Sequence, residues 1–160
     1  MNTSIFYDRI RSVEHEYRAA KVAVVRLRGI TAVDPTILRG TEVEPSDVVR
    51  CDHFLEPTYV IRMFAEFEVA LRVFWTAARQ LRSPSRARAE VLMDGVAARC
   101  RISPEIHSAA HIVREYRNDL VHARAFGGIL EIGECRSRLC RFLSKLPYDW
   151  PPLRSGQRRR

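Results

Sequence analysis

Residues 58–81 read TYVIRMFAEFEVALRVFWTAARQL, and their periodicity decides the fold class. Val60, Phe64, Phe67, Leu71, Phe74, Trp75 and Ala78 recur mainly at helical steps of three and four, which puts them on one face of a helix. Opened by Pro57 or Thr58 and running to about Leu81, that helix carries the heaviest apolar face of the chain, so other helices must cover it. Upstream, Phe6, Ile10, Val13, Tyr17, Ala20, Val24 and Leu27 form a narrower seam, which predicts a first helix from Ile5 to Arg28, stopped by Gly29. Residues 30–56 hold Asp34-Pro35, Gly40 and Glu44-Pro45 and read as an irregular connection, although Ser46 or Asp47 offers a start for a short helix.

Downstream, Ser83-Pro84-Ser85 is a break and restart, followed by a shorter third helix ending near Cys100. Ser103-Pro104-Glu105 starts a fourth, with serine as N-cap and proline at the first helical position, and Gly127-Gly128 ends it. A last helix, about Glu131 to Lys145, presents Ile132, Cys135, Leu139, Phe142 and Leu146 before Pro147. Tyr148, Trp150 and Pro151-Pro152 are expected to fold back on the bundle. No segment alternates as a strand does. The expected architecture is all-α, a bundle of four or five helices in one domain over residues 1–150, with a basic, disordered tail over 151–160.

At 160 residues the chain is long enough for one substantial core. Its net charge is +8, from 27 basic and 19 acidic residues, and Arg154, Arg158, Arg159 and Arg160 in the tail supply half of that excess. Such a tail attracts nucleic acid weakly. No apolar run approaches a membrane span, and Met1 to Ile5 lacks the blocks of a signal peptide, so a cytoplasmic location is expected. Cys51, Cys100, Cys135 and Cys140 match no zinc or redox spacing and read as reduced, mostly buried apolar residues.

The fourth helix carries the chemistry. At about 100° per residue, Ile106, Ala109, Ala110, Val113 and Leu120 share one stripe, with Tyr116 and Val121 at its edges and Arg117 near its middle. A guanidinium in an apolar seam must pair with a carboxylate, reach out to solvent, or face an interface or cleft, because an unpaired buried charge costs several kcal/mol. Glu68, on the shoulder of the second helix's apolar face, is the expected ion-pair partner of Arg117, whereas Glu66 points away. Such a pair is also explained by helix register alone. His107, His111 and Glu115 fall on one polar face with Asn118 and His122. They offer ligands to a transition metal, although surface histidines at this spacing commonly bind none, and no metal or cofactor is expected.

Arg117-Asn118-x-x-x-His122 resembles the motif of the HEPN superfamily (higher eukaryotes and prokaryotes nucleotide-binding domains), an arginine, often followed directly by a polar residue, with four to six residues between it and a histidine. The all-helical chain agrees with that resemblance, as do the motif's place in the penultimate helix and the acidic residue at Glu68 in Phe64-Ala65-Glu66-Phe67-Glu68-Val69-Ala70-Leu71-Arg72. The likeness runs from about Thr58 to Pro147, and only loosely through the first helix. It implies a homodimer whose motif helices face each other, acting as a metal-independent endoribonuclease of toxin or defence type on RNA, with an antitoxin or nucleotidyltransferase as further partner. In that reading Arg117 and His122 act on the phosphodiester, Asn118 assists, Glu68 positions Arg117, and Arg114 and Arg124 hold RNA phosphates. Other members of the superfamily are non-catalytic binding or dimerisation modules for a partner protein or nucleotide, which is the alternative for this chain.

Overall fold

The computed structural model describes residues 3–81, 83, 85–122 and 130–150. Among these residues the chain is all-helical: α1 Ser4–Val33, α2 Pro45–Ala78, α3 Ala89–Cys100, α4 Pro104–His122 and α5 Ile132–Leu143, with a 3-10 turn at Pro35–Leu38. No described helix is long and apolar enough to cross a membrane.

The expected core face of α2 is confirmed. Val60, Met63, Phe64, Phe67, Ala70 and Leu71 are fully buried, each large side chain contributing about 1.5–3 kcal/mol of transfer free energy. α1 runs antiparallel along α2, tied by ion pairs that succeed one another in opposite directions along the two helices: Arg9 with Glu66 at 3.3 Å, Arg62 with Glu16, and Lys21 with Asp52 at 2.5 Å. Glu66, expected to point away, therefore joins the hairpin. α5 closes the other side, its Leu139, Phe142 and Leu143 fully buried and Phe142 edge-on to Phe67 at 5.5 Å.

Two boundaries differ from expectation. α1 passes through Gly29 to Val33. A helical glycine costs only about 1 kcal/mol, and the Thr31 hydroxyl, beyond it, donates to the Leu27 and Arg28 carbonyls before it. Asp34 then ends the helix and caps the 3-10 turn, accepting from the Thr36 amide at 2.9 Å.

The larger difference is that α2 begins at Pro45, so that with the end of α1 most of the segment expected to be irregular is helix. A capping box between Glu44 and Asp47 starts it, and Pro45 occupies the first turn, where its missing N–H costs nothing. Pro57 lies inside the helix and removes one backbone hydrogen bond. Tertiary contacts hold the chain helical in the turns just before it. Asp52 binds Lys21 and Arg28 of α1, and Glu56 bridges two elements, accepting from Tyr17 Oη at 3.1 Å and from the Ile132 amide at 2.8 Å. Glu56 thereby caps α5 from a distant part of the chain.

After α5, the chain folds back through Trp150 as expected, whereas the Tyr148 side chain stays exposed, since the place between Phe6 and Phe74 holds only one ring. Trp150 is buried, stacks on Phe6 at 5.3 Å, meets Phe74 at 5.3 Å and donates from its indole nitrogen to the Pro147 carbonyl. The Thr3 hydroxyl donates to the same carbonyl, so both described ends of the chain meet. The expected stop at Gly127-Gly128, Pro151-Pro152 and the basic tail lie outside the described residues. All four cysteines are free thiols. Cys135 is buried, which pushes its thiol up to about 12, Cys100 and Cys140 are half-buried, and Cys51 is exposed, against the expectation of general burial.

Candidate functional site

α4 begins at Pro104 as the Ser103-Pro104-Glu105 signal predicts, and the Ser103 carbonyl accepts from the His107 amide at 3.0 Å. Ile106, Ala110, Val113 and Tyr116 are its buried residues, and Ala109, Arg117 and Leu120 are half-buried beside them. Arg117 thus occupies the apolar seam where the wheel places it.

The expected Arg117–Glu68 ion pair is absent. Glu68 pairs with Arg72, one turn along the same helix, and Arg72 also donates to the Ser85 carbonyl at 2.6 Å. An i,i+4 partner on Glu68's own helix is always within reach, whereas a partner across the bundle requires matching axial register. The part of α2 that meets Arg117 is one turn earlier. The guanidinium carbon lies 5.5 Å from the centroid of the Phe64 ring, a cation–π distance.

Arg117 Nη1 donates to Asn118 Oδ1 at 2.9 Å, which aligns the two motif residues. Arg117 Nε is shielded from solvent and has no acceptor. No carboxylate among the described residues pairs with this guanidinium. Stacking on a ring supplies about 0.5–2 kcal/mol and leaves the charge uncompensated. A half-buried, permanently charged fork without a carboxylate partner has the chemistry to accept an oxyanion.

The remaining motif residue is placed differently. His122 is exposed at the last described position of α4 and has no hydrogen bond or ion pair among the described residues. Within one chain the structure links Arg117 to Asn118 and not to His122. Arg114 is largely buried and already engaged. Its Nε donates to His111 Nδ1 at 3.2 Å, and its Nη atoms lie 3.6 Å from Glu90 and 3.7 Å from Glu115. Arg124 lies outside the described residues.

Two turns before Arg117, sequence reasoning missed a residue. His107 and His111 face a common carboxylate, Asp94 of α3. Glu115, the expected third member of that face, turns instead toward Arg114. Asp94 gave no signal because only the packing of α3 on α4 brings it there. Burial, the neighbouring His107 and the Arg114 charge push the His111 imidazole below its usual pKa, with Asp94 opposing them, so the neutral ring is favoured.

An apolar depression of about 530 Å³ lies on the C-terminal part of α1, lined by Val25, Arg26, Gly29, Ile30, Val33 and Asp34. None of its lining residues belongs to α4. Compared with known proteins, the chain matches no family model, no curated protein and no solved structure.

Proposed function

We propose that the protein is a HEPN-like, metal-independent endoribonuclease of toxin or defence type, with its site completed across a homodimer. The observation that carries this reading is Arg117, a half-buried cation held by Asn118 and Phe64 with no counter-charge among the described residues. A phosphodiester supplies the missing anion. The exposure of His122 fits a composite cleft, since a second copy facing α4 brings another imidazole to the bound phosphate.

In this site one His122 takes the ribose 2′-OH proton as the 2′-oxygen attacks phosphorus. The partner's His122 gives a proton to the departing 5′-oxygen. Arg117 stabilises the extra negative charge on the phosphorane through its fork, and Asn118 keeps that fork aligned. The products are a 2′,3′-cyclic phosphate and a 5′-hydroxyl. Glu68 holds Arg72 instead of Arg117, and Arg72 donates to the Ser85 carbonyl, so the part of Glu68 is to position the connection after α2.

The test is cleavage of mixed RNA in excess EDTA by wild type, Arg117→Ala and His122→Ala. Wild type alone is expected to leave cyclic phosphate ends. Loss of the histidine should slow the reaction by about 10²–10⁴-fold and loss of the arginine by about 10²–10³-fold. A folded dimer that cleaves nothing refutes the catalytic reading. The second reading, a binding module, then takes its place. The apolar side chains of Val25, Ile30 and Val33, exposed on the free end of α1, favour it.

A further inference from the structure

The polar cluster between α3 and α4 has a geometry that hydrogen bonding does not satisfy. His107 Nε2, His111 Nε2 and Asp94 Oδ1 form a triangle with edges of 2.9, 3.0 and 3.2 Å. The two rings are 4.3 Å apart between centroids. Three edges need three protons, and this triangle has at most two when Asp94 is a carboxylate, one on each Nε2. Arg114 Nε donates to His111 Nδ1, which places the proton of the neutral His111 on Nε2, where it donates to Asp94. If His107 also donates to Asp94, two N–H groups face each other across 3.0 Å. If His107 accepts from His111 instead, its lone pair faces the carboxylate across 2.9 Å. A cation among the three atoms satisfies every edge at once.

The dimensions suit one. Zinc binds imidazole nitrogen and carboxylate oxygen at about 2.0–2.2 Å, which in tetrahedral geometry separates the donors by about 3.3 Å. The observed edges lie within a few tenths of an ångström of that, so the triangle caps an ion without rebuilding either helix. Both helices are packed into the core beside the site. His107 and His111 are one turn apart on α4, and Asp94 sits mid-way along α3, whose Leu92, Met93 and Val96 are buried. His111 is favoured in the neutral form that a metal requires.

We propose that Asp94, His107 and His111 bind a divalent transition ion of the zinc class, which clamps α3 to α4 and keeps a coordination position open to solvent. Asp94 is 55% exposed, so the fourth position faces outward and takes water. Binding through His111 Nε2 moves that ring's proton to Nδ1 and expels Arg114 Nε, whose fork then turns to Glu90 and Glu115. Arg114 is therefore a competitor of the ion. The site is separate from the proposed nuclease chemistry: His122 is eleven residues, about 16 Å along the helix, beyond His111.

Cobalt titration of the purified full chain tests this, with zinc as competitor and without chelator. Wild type should take up one cobalt ion per chain with visible ligand-field bands that zinc abolishes. Asp94→Asn and His107→Ala should each weaken binding by about 100-fold or more, above the about 10–100-fold that loss of an outer partner costs. His15→Ala should leave binding unchanged, and Arg114→Met should tighten it. Circular dichroism confirms that each variant is folded, and Asp94→Asn, on an exposed side chain, is the safest of them. No uptake by wild type, or undiminished uptake by a folded Asp94→Asn/His107→Ala double variant, overturns the proposal. RNA cleavage in EDTA is read on the same samples, so the two ideas fail independently.

Discussion

Gly95 lies in α3 next to Asp94, and its surroundings make Gly95→Ala a sharp test of the packing. In an open helix this change stabilises by about 0.8–1 kcal/mol. Here the added methyl would sit 2.6, 2.9 and 3.2 Å from three carbons of the Trp75 benzo ring. Carbon atoms pack at about 3.5–4.0 Å, so the ring must retreat by about 1 Å. The indole is a rigid plate set in the core-facing side of α2, with the Arg79 guanidinium 5.0 Å from its centroid. Overpacking of this kind costs about 1–3 kcal/mol. The overlap therefore outweighs the helical gain, and the net effect is a destabilisation of about 1 kcal/mol, a fall in Tm of about 2–4 °C for a chain of this size. Urea and thermal unfolding, followed by circular dichroism, measure it. In a Trp75→Leu background the obstacle is gone and the same substitution should turn stabilising. A Gly95→Ala protein more stable than wild type, with Trp75 in place, would refute the assigned contact between α2 and α3. It would also remove the argument that α3 is held firmly enough to present Asp94.

Other outcomes follow from particular contacts. Burial, and then its hydrogen bond to Glu56, pushes Tyr17 up to about 12 from 10.0. The folded value is the higher one, so the Tyr17 contribution is complete below about pH 10 and is lost as pH rises from about 10 to about 12; unfolding followed at alkaline pH should show that loss, and Tyr17→Phe should flatten it. Glu56→Ala leaves the Ile132 amide without its acceptor and should cost about 1–3 kcal/mol, with hydrogen exchange rising first at the start of α5. Trp150→Ala empties a site shared with Phe6 and Phe74 and should cost about 3–5 kcal/mol in denaturant unfolding. Arg101, at φ 52°, is the left-handed residue that ends α3, so Arg101→Gly should leave stability unchanged or raise it by up to about 1 kcal/mol.

Much of the framework is legible residue by residue. Phe64, Phe67 and Leu71 declare a buried face by spacing alone, and Ser103-Pro104-Glu105 declares a helix start by chemistry alone. Gly29 and Pro57 mislead for a common reason. Local propensity differs by about 1–3 kcal/mol, and a long helix clamped by Asp52, Glu56 and the α1 seam overrides it. Among polar residues, Glu14 shows the same limit. It falls beside the first helix's seam, yet it is 1% exposed and held between Arg18 at 2.8 Å and Arg136 of α5 at 3.0 Å.

By itself, the sequence determined the helical class, the order of the helices and the half-buried place of Arg117 in the apolar seam of α4. These depend on positions within one helix, where a rotation of about 100° per residue fixes which side chains share a face. Only the tertiary structure decided that Glu68 serves Arg72, that Phe64 meets Arg117, that Arg114 is engaged, and that Asp94 joins His107 and His111. Each of those depends on the axial register between two helices. A slide of one turn, about 5.4 Å, exchanges one partner for another while leaving every helical face unchanged, and it is the interlocking of large side chains across the bundle that selects the register.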